Sequence, residues 1–160
     1  MRQLLKIYFL LAACIFISCN KNTDDYQPPI KGNVSASYFT ESTWNVMEST
    51  ISIPDSINDF CMRNLKKIYF GSSTCILTGE NKATKKEYKG NYRIENVNEN
   101  STILYLDNLT HGSEVCSYVL TFDEINTSRN STSLVMDLQS GNLFHKKSNG
   151  KNYGTFRLTK

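Results

Sequence analysis

From residue 43 onward, apolar and polar positions alternate in short runs rich in Val, Ile, Thr, Tyr and Phe, with turn residues between them. A period of two sets alternate side chains on opposite faces, as half-buried strands require. The first run, 43–51, places Trp44 and Val46 on one face. Residues 67–71, with Ile68 and Phe70 inward, and 74–78, with Cys75 and Leu77 inward, predict a hairpin around Gly71-Ser72-Ser73. Residues 85–97 alternate at Tyr88, Gly90, Tyr92 and Ile94 and turn through Asn98-Glu99-Asn100. Then come 102–109, 116–125 (Tyr118, Leu120, Phe122), 132–139 (Leu134, Met136, Leu138) and 153–159 (Phe156, Leu158). With no helical crossovers, sequential strands pair antiparallel, and the expected fold is all-β: a small meander barrel of about eight strands closed by the last on the first.

One stretch breaks the alternation. In 52–65, Pro54 and Asp55 suit a first helical turn, and Ile57, Phe60, Cys61 and Leu65 recur at helical spacing. This predicts a short helical insert after the first strand.

The first 37 residues follow neither period. Arg2 and Lys6 precede an apolar run from Ile7 to Ile17. The run is shorter than the roughly 20 residues that span a bilayer, and it reads as a secretory signal peptide over 1–18. Its end resembles the lipobox of bacterial lipoproteins, in which a small residue precedes a cysteine that is acylated and becomes the new N-terminus. Leu11-Ala12-Ala13-Cys14 matches that pattern better, but it would leave Ile15, Phe16 and Ile17 in the mature tether. Phe16-Ile17-Ser18-Cys19 uses the whole apolar run and passes at once to polar residues, so Cys19 is the expected lipidation site. Asp24 and Asp25 beyond it resemble acidic surface-export tags. Residues 19–37, with Pro28, Pro29 and Gly32, read as a lipidated flexible tether, and 38–160 as the single barrel domain.

Composition narrows the function. The chain has 18 Lys and Arg against 15 Asp and Glu, and loss of Arg2 and Lys6 with the signal leaves 16 against 15. A near-neutral domain lacks the basic face that nucleic acid demands.

The elements Thr43-Trp44-Asn45-Val46, Lys67-Ile68-Tyr69-Phe70, Gly90-Asn91-Tyr92-Arg93-Ile94 and the terminal Gly154-Thr155-Phe156-Arg157-Leu158 together resemble the lipocalin-like lipoproteins of the Bacteroidota. Ser42 stands where lipocalins favour glycine two residues before the tryptophan. The resemblance implies a small barrel that binds a ligand, anchored in the outer membrane and facing the periplasm or the cell surface. It carries over no catalytic residue.

If successive strands reverse, the insert and the loops 79–84, 110–115 and 140–152 share one end of the barrel, while the tether and the short turns share the other. Function is expected at the long-loop end, because rigid scaffolds carry their sites on loops. His111 and His145 fall there with Glu114 near, but at no metal-binding spacing. No nucleophile elbow or cysteine-protease context occurs, so no enzyme, cofactor or metal is expected. The aromatic set Trp44, Phe70, Tyr92, Tyr118, Phe122 and Phe156 either lines a cavity for a small hydrophobic or glycan-derived ligand or fills the core. A filled barrel would instead suit an interaction module for an envelope protein. Of the thiols beyond the signal, Cys61 and Cys116 belong to the long-loop end and Cys75 to the other, which makes Cys61 to Cys116 the expected disulfide.

Overall fold

The computed structural model describes residues 27–31, 34–144 and 152–160. Cys14, Cys19, His145 and the signal segment lie outside them. Among the described residues, ten strands form one antiparallel sheet: β1 (Ile30–Lys31), β2 (Ser42–Ser49), β3 (Leu65–Phe70), β4 (Thr74–Glu80), β5 (Lys85–Asn98), β6 (Ser101–His111), β7 (Glu114–Phe122), β8 (Glu124–Ser128), β9 (Ser131–Gly141) and β10 (Thr155–Thr159). Eight of them close a barrel: β2 to β7 pair in sequence, β7 pairs with β9, β9 with β10, and β10 returns to β2. The expected meander barrel is therefore present. It follows from alternating strands joined mostly by turns too short for a crossover, with only a one-turn helix in the long connection from β2 to β3.

The run 116–125, read as one strand, is interrupted at Asp123. β7 pairs with the C-terminal half of β9 (Leu120 opposite Leu138), and β8 with its N-terminal half (Ile125 opposite Leu134). β8 carries β1 on its other edge, Ile30 facing Ile125. Sheet pairing thus begins within the stretch assigned to the tether, and Val34 is buried, its backbone bonded in both directions by the Asn96 side chain.

Inward positions match the alternation: Trp44, Ile68, Phe70, Leu77, Tyr88, Tyr92, Leu104, Leu106, Tyr118, Leu120, Met136, Phe156 and Leu158 form one buried cluster. At the base, Ala36–Tyr38 form a 3-10 turn that drops Phe39 into the lumen. Its ring meets Phe70 at 5.0 Å, Trp44 at 5.5 Å and Phe122 at 5.8 Å. Sequence reading missed this plug, because nothing in the polar stretch before Phe39 marks one aromatic as the stopper.

The insert corrects the expectation of a helix starting at Pro54. Only α1 (Phe60–Arg63) is helical, and it is capped by Asp59, whose Oδ1 accepts the Met62 N–H at 2.9 Å. Residues 50–59 are irregular. The Arg63 guanidinium holds them by donating to the carbonyls of Pro54 (2.6 Å), Ile53 (2.8 Å) and Ile57 (3.3 Å). Asp55 is solvent-exposed and pairs with the same arginine at 3.5 Å, so it starts no helix.

Candidate functional site

The insert folds over the end of the barrel where β4 turns into β5, β6 into β7 and β9 toward β10. Between α1 and these strands lies a pocket of about 270 Å³. Asp59, Phe60 and Cys61 enter it from the insert, Lys86 and Tyr88 from β5, and Glu114, Cys116 and Tyr118 from β7. Val115 and Leu143 stand on its rim, 53% and 47% exposed. The long-loop end thus holds the pocket, as the alternating strand directions imply.

Its floor is polar and buried. Tyr118 donates its hydroxyl to both oxygens of Asp59, at 2.9 Å each. Burial raises the Asp59 pKa, against the opposing pull of the Met62 N–H, the Tyr118 hydroxyl and the Arg63 charge. Burial also raises the pKa of Tyr118, and the charges of Cys61 and Asp59 add to it. Nearer solvent, Tyr88 donates to Glu114 at 2.6 Å, and Lys86 pairs with the same carboxylate while lying 5.2 Å over the Phe60 ring. Lys86 and then Tyr88 hold the Glu114 carboxyl below its ordinary range.

Asp59 gives a signed pH dependence. Its folded pKa is raised, so the folded chain holds that proton more tightly than the unfolded one. The stabilisation is fully present below the unfolded value of 3.8 and is lost as pH rises through the folded value. Asp59→Asn should remove this loss while keeping the cap acceptor. Urea unfolding from pH 3 upward would then give a wild-type curve that declines relative to the variant across that window. Parallel curves would show that ionisation of Asp59 costs the fold nothing.

The predicted residues divide. Tyr118 reaches the pocket. Trp44, Phe70, Tyr92 and Phe156 are core, with Phe70 edge-on to Tyr92 at 4.9 Å. Phe122 packs on Phe39 and shows an edge to a separate flank groove of about 380 Å³ near Lys31 and Asp123. Two of that groove's acids are already engaged, Glu124 by Lys31 at 3.4 Å and Asp137 by Asn152 at 2.9 Å. His111 sits on the rim, its Nδ1 3.1 Å from the Glu87 carbonyl and its ring 5.4 Å from Tyr88. Among the described residues, no three His, Cys, Asp or Glu side chains converge as metal ligands.

The expected disulfide is not closed. Cys61, Cys75 and Cys116 are free thiols. Cys61 and Cys116 nevertheless come together on the wall of the mouth pocket, near enough for each thiol to shift the other's pKa, whereas Cys75 lies on β4 opposite Phe70, with its Sγ 3.6 Å from the Asn91 carbonyl. Burial, with the Asp107 charge added, pushes the Cys75 thiol up to about 12.

Sequence reading passed over Asp59, Lys86 and Tyr88 as site residues. The only available signal was an acid immediately before an apolar turn, which is common at helix starts. No protein family, curated protein or solved structure matches the chain.

Proposed function

We propose that this chain is a non-catalytic, membrane-anchored binding module whose ligand sits in the mouth pocket rather than in the barrel lumen. What carries this reading is a lumen packed with side chains beneath a separate pocket of about 270 Å³. Small-ligand pockets run from roughly 300 to 1,000 Å³, so this one suits a single small group. Phe60 and Tyr88 offer apolar surface, while Asn58, Asp59 and Glu114 offer acceptors. That mixture favours a glycan-derived ligand over a purely apolar one, because an apolar ligand would cover the carboxylates without bonding them.

The anchor in this proposal is Cys19, acylated after removal of 1–18, in the outer membrane facing the periplasm or the cell surface. The described chain enters at the base, where β1 meets β8, so an anchor there leaves the mouth pointing away from the bilayer. A second reading has one specific support: the exposed rim residues Val115 and Leu143 could seat a loop of an envelope protein.

The full-length protein in detergent, titrated by calorimetry with soluble glycan fragments, tests both. Saturable binding should fall at least about tenfold in Asn58→Ala and Leu143→Ser, and persist in Glu99→Gln and Arg129→Gln at the base. Loss confined to the basal pair would overturn the location. Failure of every glycan, with an envelope protein bound in a Leu143-dependent way, would replace the first reading with the second.

A further inference from the structure

Cys61 and Cys116 come from different elements, α1 and β7, and stand as neighbouring free thiols on the wall of the mouth pocket. Thiols that neighbour each other across two elements and face an opening have the two requirements of disulfide exchange: a partner sulfur in reach and a path for the substrate. Their surroundings differ. Cys61 is more deeply buried, and burial, followed by the nearness of Cys116, holds its proton on. The neighbouring Cys61 thiol draws the Cys116 pKa down against the opposing effect of burial. The Cys116 hydrogen points to the Leu109 carbonyl at 3.7 Å. The thiolate is the nucleophile in exchange, so this environment separates the roles.

We propose that Cys116 and Cys61 form a thiol–disulfide exchange site in the mouth pocket, with Cys116 the attacking sulfur, Cys61 the resolving sulfur, and low-molecular-weight disulfides as substrates. Cys116 gives its proton to solvent, and its thiolate attacks one sulfur of R–S–S–R. That S–S bond breaks and RS⁻ leaves, to be protonated by solvent. Cys61 then loses its proton and attacks the Cys116 sulfur, and the mixed disulfide breaks to release the second RS⁻. Two protein thiols have been oxidised to one disulfide and one small disulfide reduced to two thiols, with both protons conserved. A pocket of about 270 Å³ admits a small disulfide but not one held within another folded protein. Closure would tie α1 to the start of β7. This inference does not depend on the glycan reading, which needs no sulfur chemistry.

The test uses the reduced, full-length protein in detergent with cystamine as probe, followed by intact-mass and non-reducing peptide analysis. Wild type should pass through a transient cysteamine adduct to a Cys61–Cys116 disulfide. Cys61→Ser should accumulate one adduct on Cys116, Cys116→Ser should react at Cys61 at least about tenfold more slowly, and Cys75→Ser should behave as wild type. Wild type in guanidinium controls for folding of the variants, since unfolding should abolish the preference among Cys61, Cys75 and Cys116. Equal rates at Cys61 and Cys116, a bridge that includes Cys75, or a native preference no greater than that in guanidinium would overturn the proposal.

Discussion

Trp44→Ala should destabilise the domain by about 3 to 5 kcal/mol, the range for removing a large buried aromatic. Domains of this size are typically stable by only about 5 to 15 kcal/mol, so the variant would stand near the edge of unfolding. The expectation rests on the position of the indole. It is fully buried at the base, stacked on the Phe39 plug at 5.5 Å, with Nε1 donating to Ser42 Oγ at 3.0 Å and the Lys160 ammonium 5.0 Å from the ring centroid. Truncation removes the indole and loosens Phe39, which the same ring supports. Phe39→Ala should therefore be less than additive with Trp44→Ala, as expected for residues in contact. Trp44 is the only tryptophan, so urea unfolding of these variants must be followed by circular dichroism. A loss below about 1 kcal/mol would mean that the base repacks without the indole.

Gly90→Ala is expected to destabilise the barrel by about 3 kcal/mol, the upper end of overpacking costs. The alternation of β5 places an inward side chain at residue 90, yet the added Cβ would stand 2.5 Å from the Asp107 carbonyl oxygen and 2.9 Å from both Asn108 O and Leu109 N. All three are backbone atoms and cannot rotate away. β6 bulges here: the β5–β6 register shifts between Lys89 and Asn91, the β6–β7 register between Leu106 and Leu109, and Asn108 takes φ 52°. Glycine in β5 lets the neighbouring strand fold inward and turn a corner of the barrel. Urea unfolding followed by Trp44 fluorescence measures the effect. A wild-type midpoint would show that the bulge can relax outward.

A shift in β6 should also reach the mouth. Leu109 pairs with Cys116, and its carbonyl accepts the Cys116 thiol. Gly90→Ala therefore links the stability of the barrel to the geometry of the sulfur pair.

The strands were legible because their code is local. Tyr118, Leu120 and Phe122, or Leu134, Met136 and Leu138, declare a buried face through a period of two that needs no knowledge of partners. Short turns then left antiparallel neighbours as the available pairing, and with it the closed barrel and the end at which the insert lies. Even the approach of Cys61 to Cys116 follows from strand direction.

Other features depend on what the chain meets only after closure. Whether Trp44, Phe70, Tyr92, Phe122 and Phe156 enclose a space or fill it depends on Phe39, which arrives from outside the meander and takes the centre. The insert has helical spacing from Ile57 to Leu65, yet only one turn forms, because Asp59 caps at Met62 and Arg63 ties the preceding carbonyls into a loop. Asp59 itself is an ordinary loop acid in the sequence. It becomes a buried carboxylate because β7 brings Tyr118 against it from 59 residues away, and burial raises its pKa over the opposing pull of the Tyr118 hydroxyl. Alternation records which side of a strand faces inward, whereas burial of a charge and the filling of a lumen depend on distances between segments that no local period encodes.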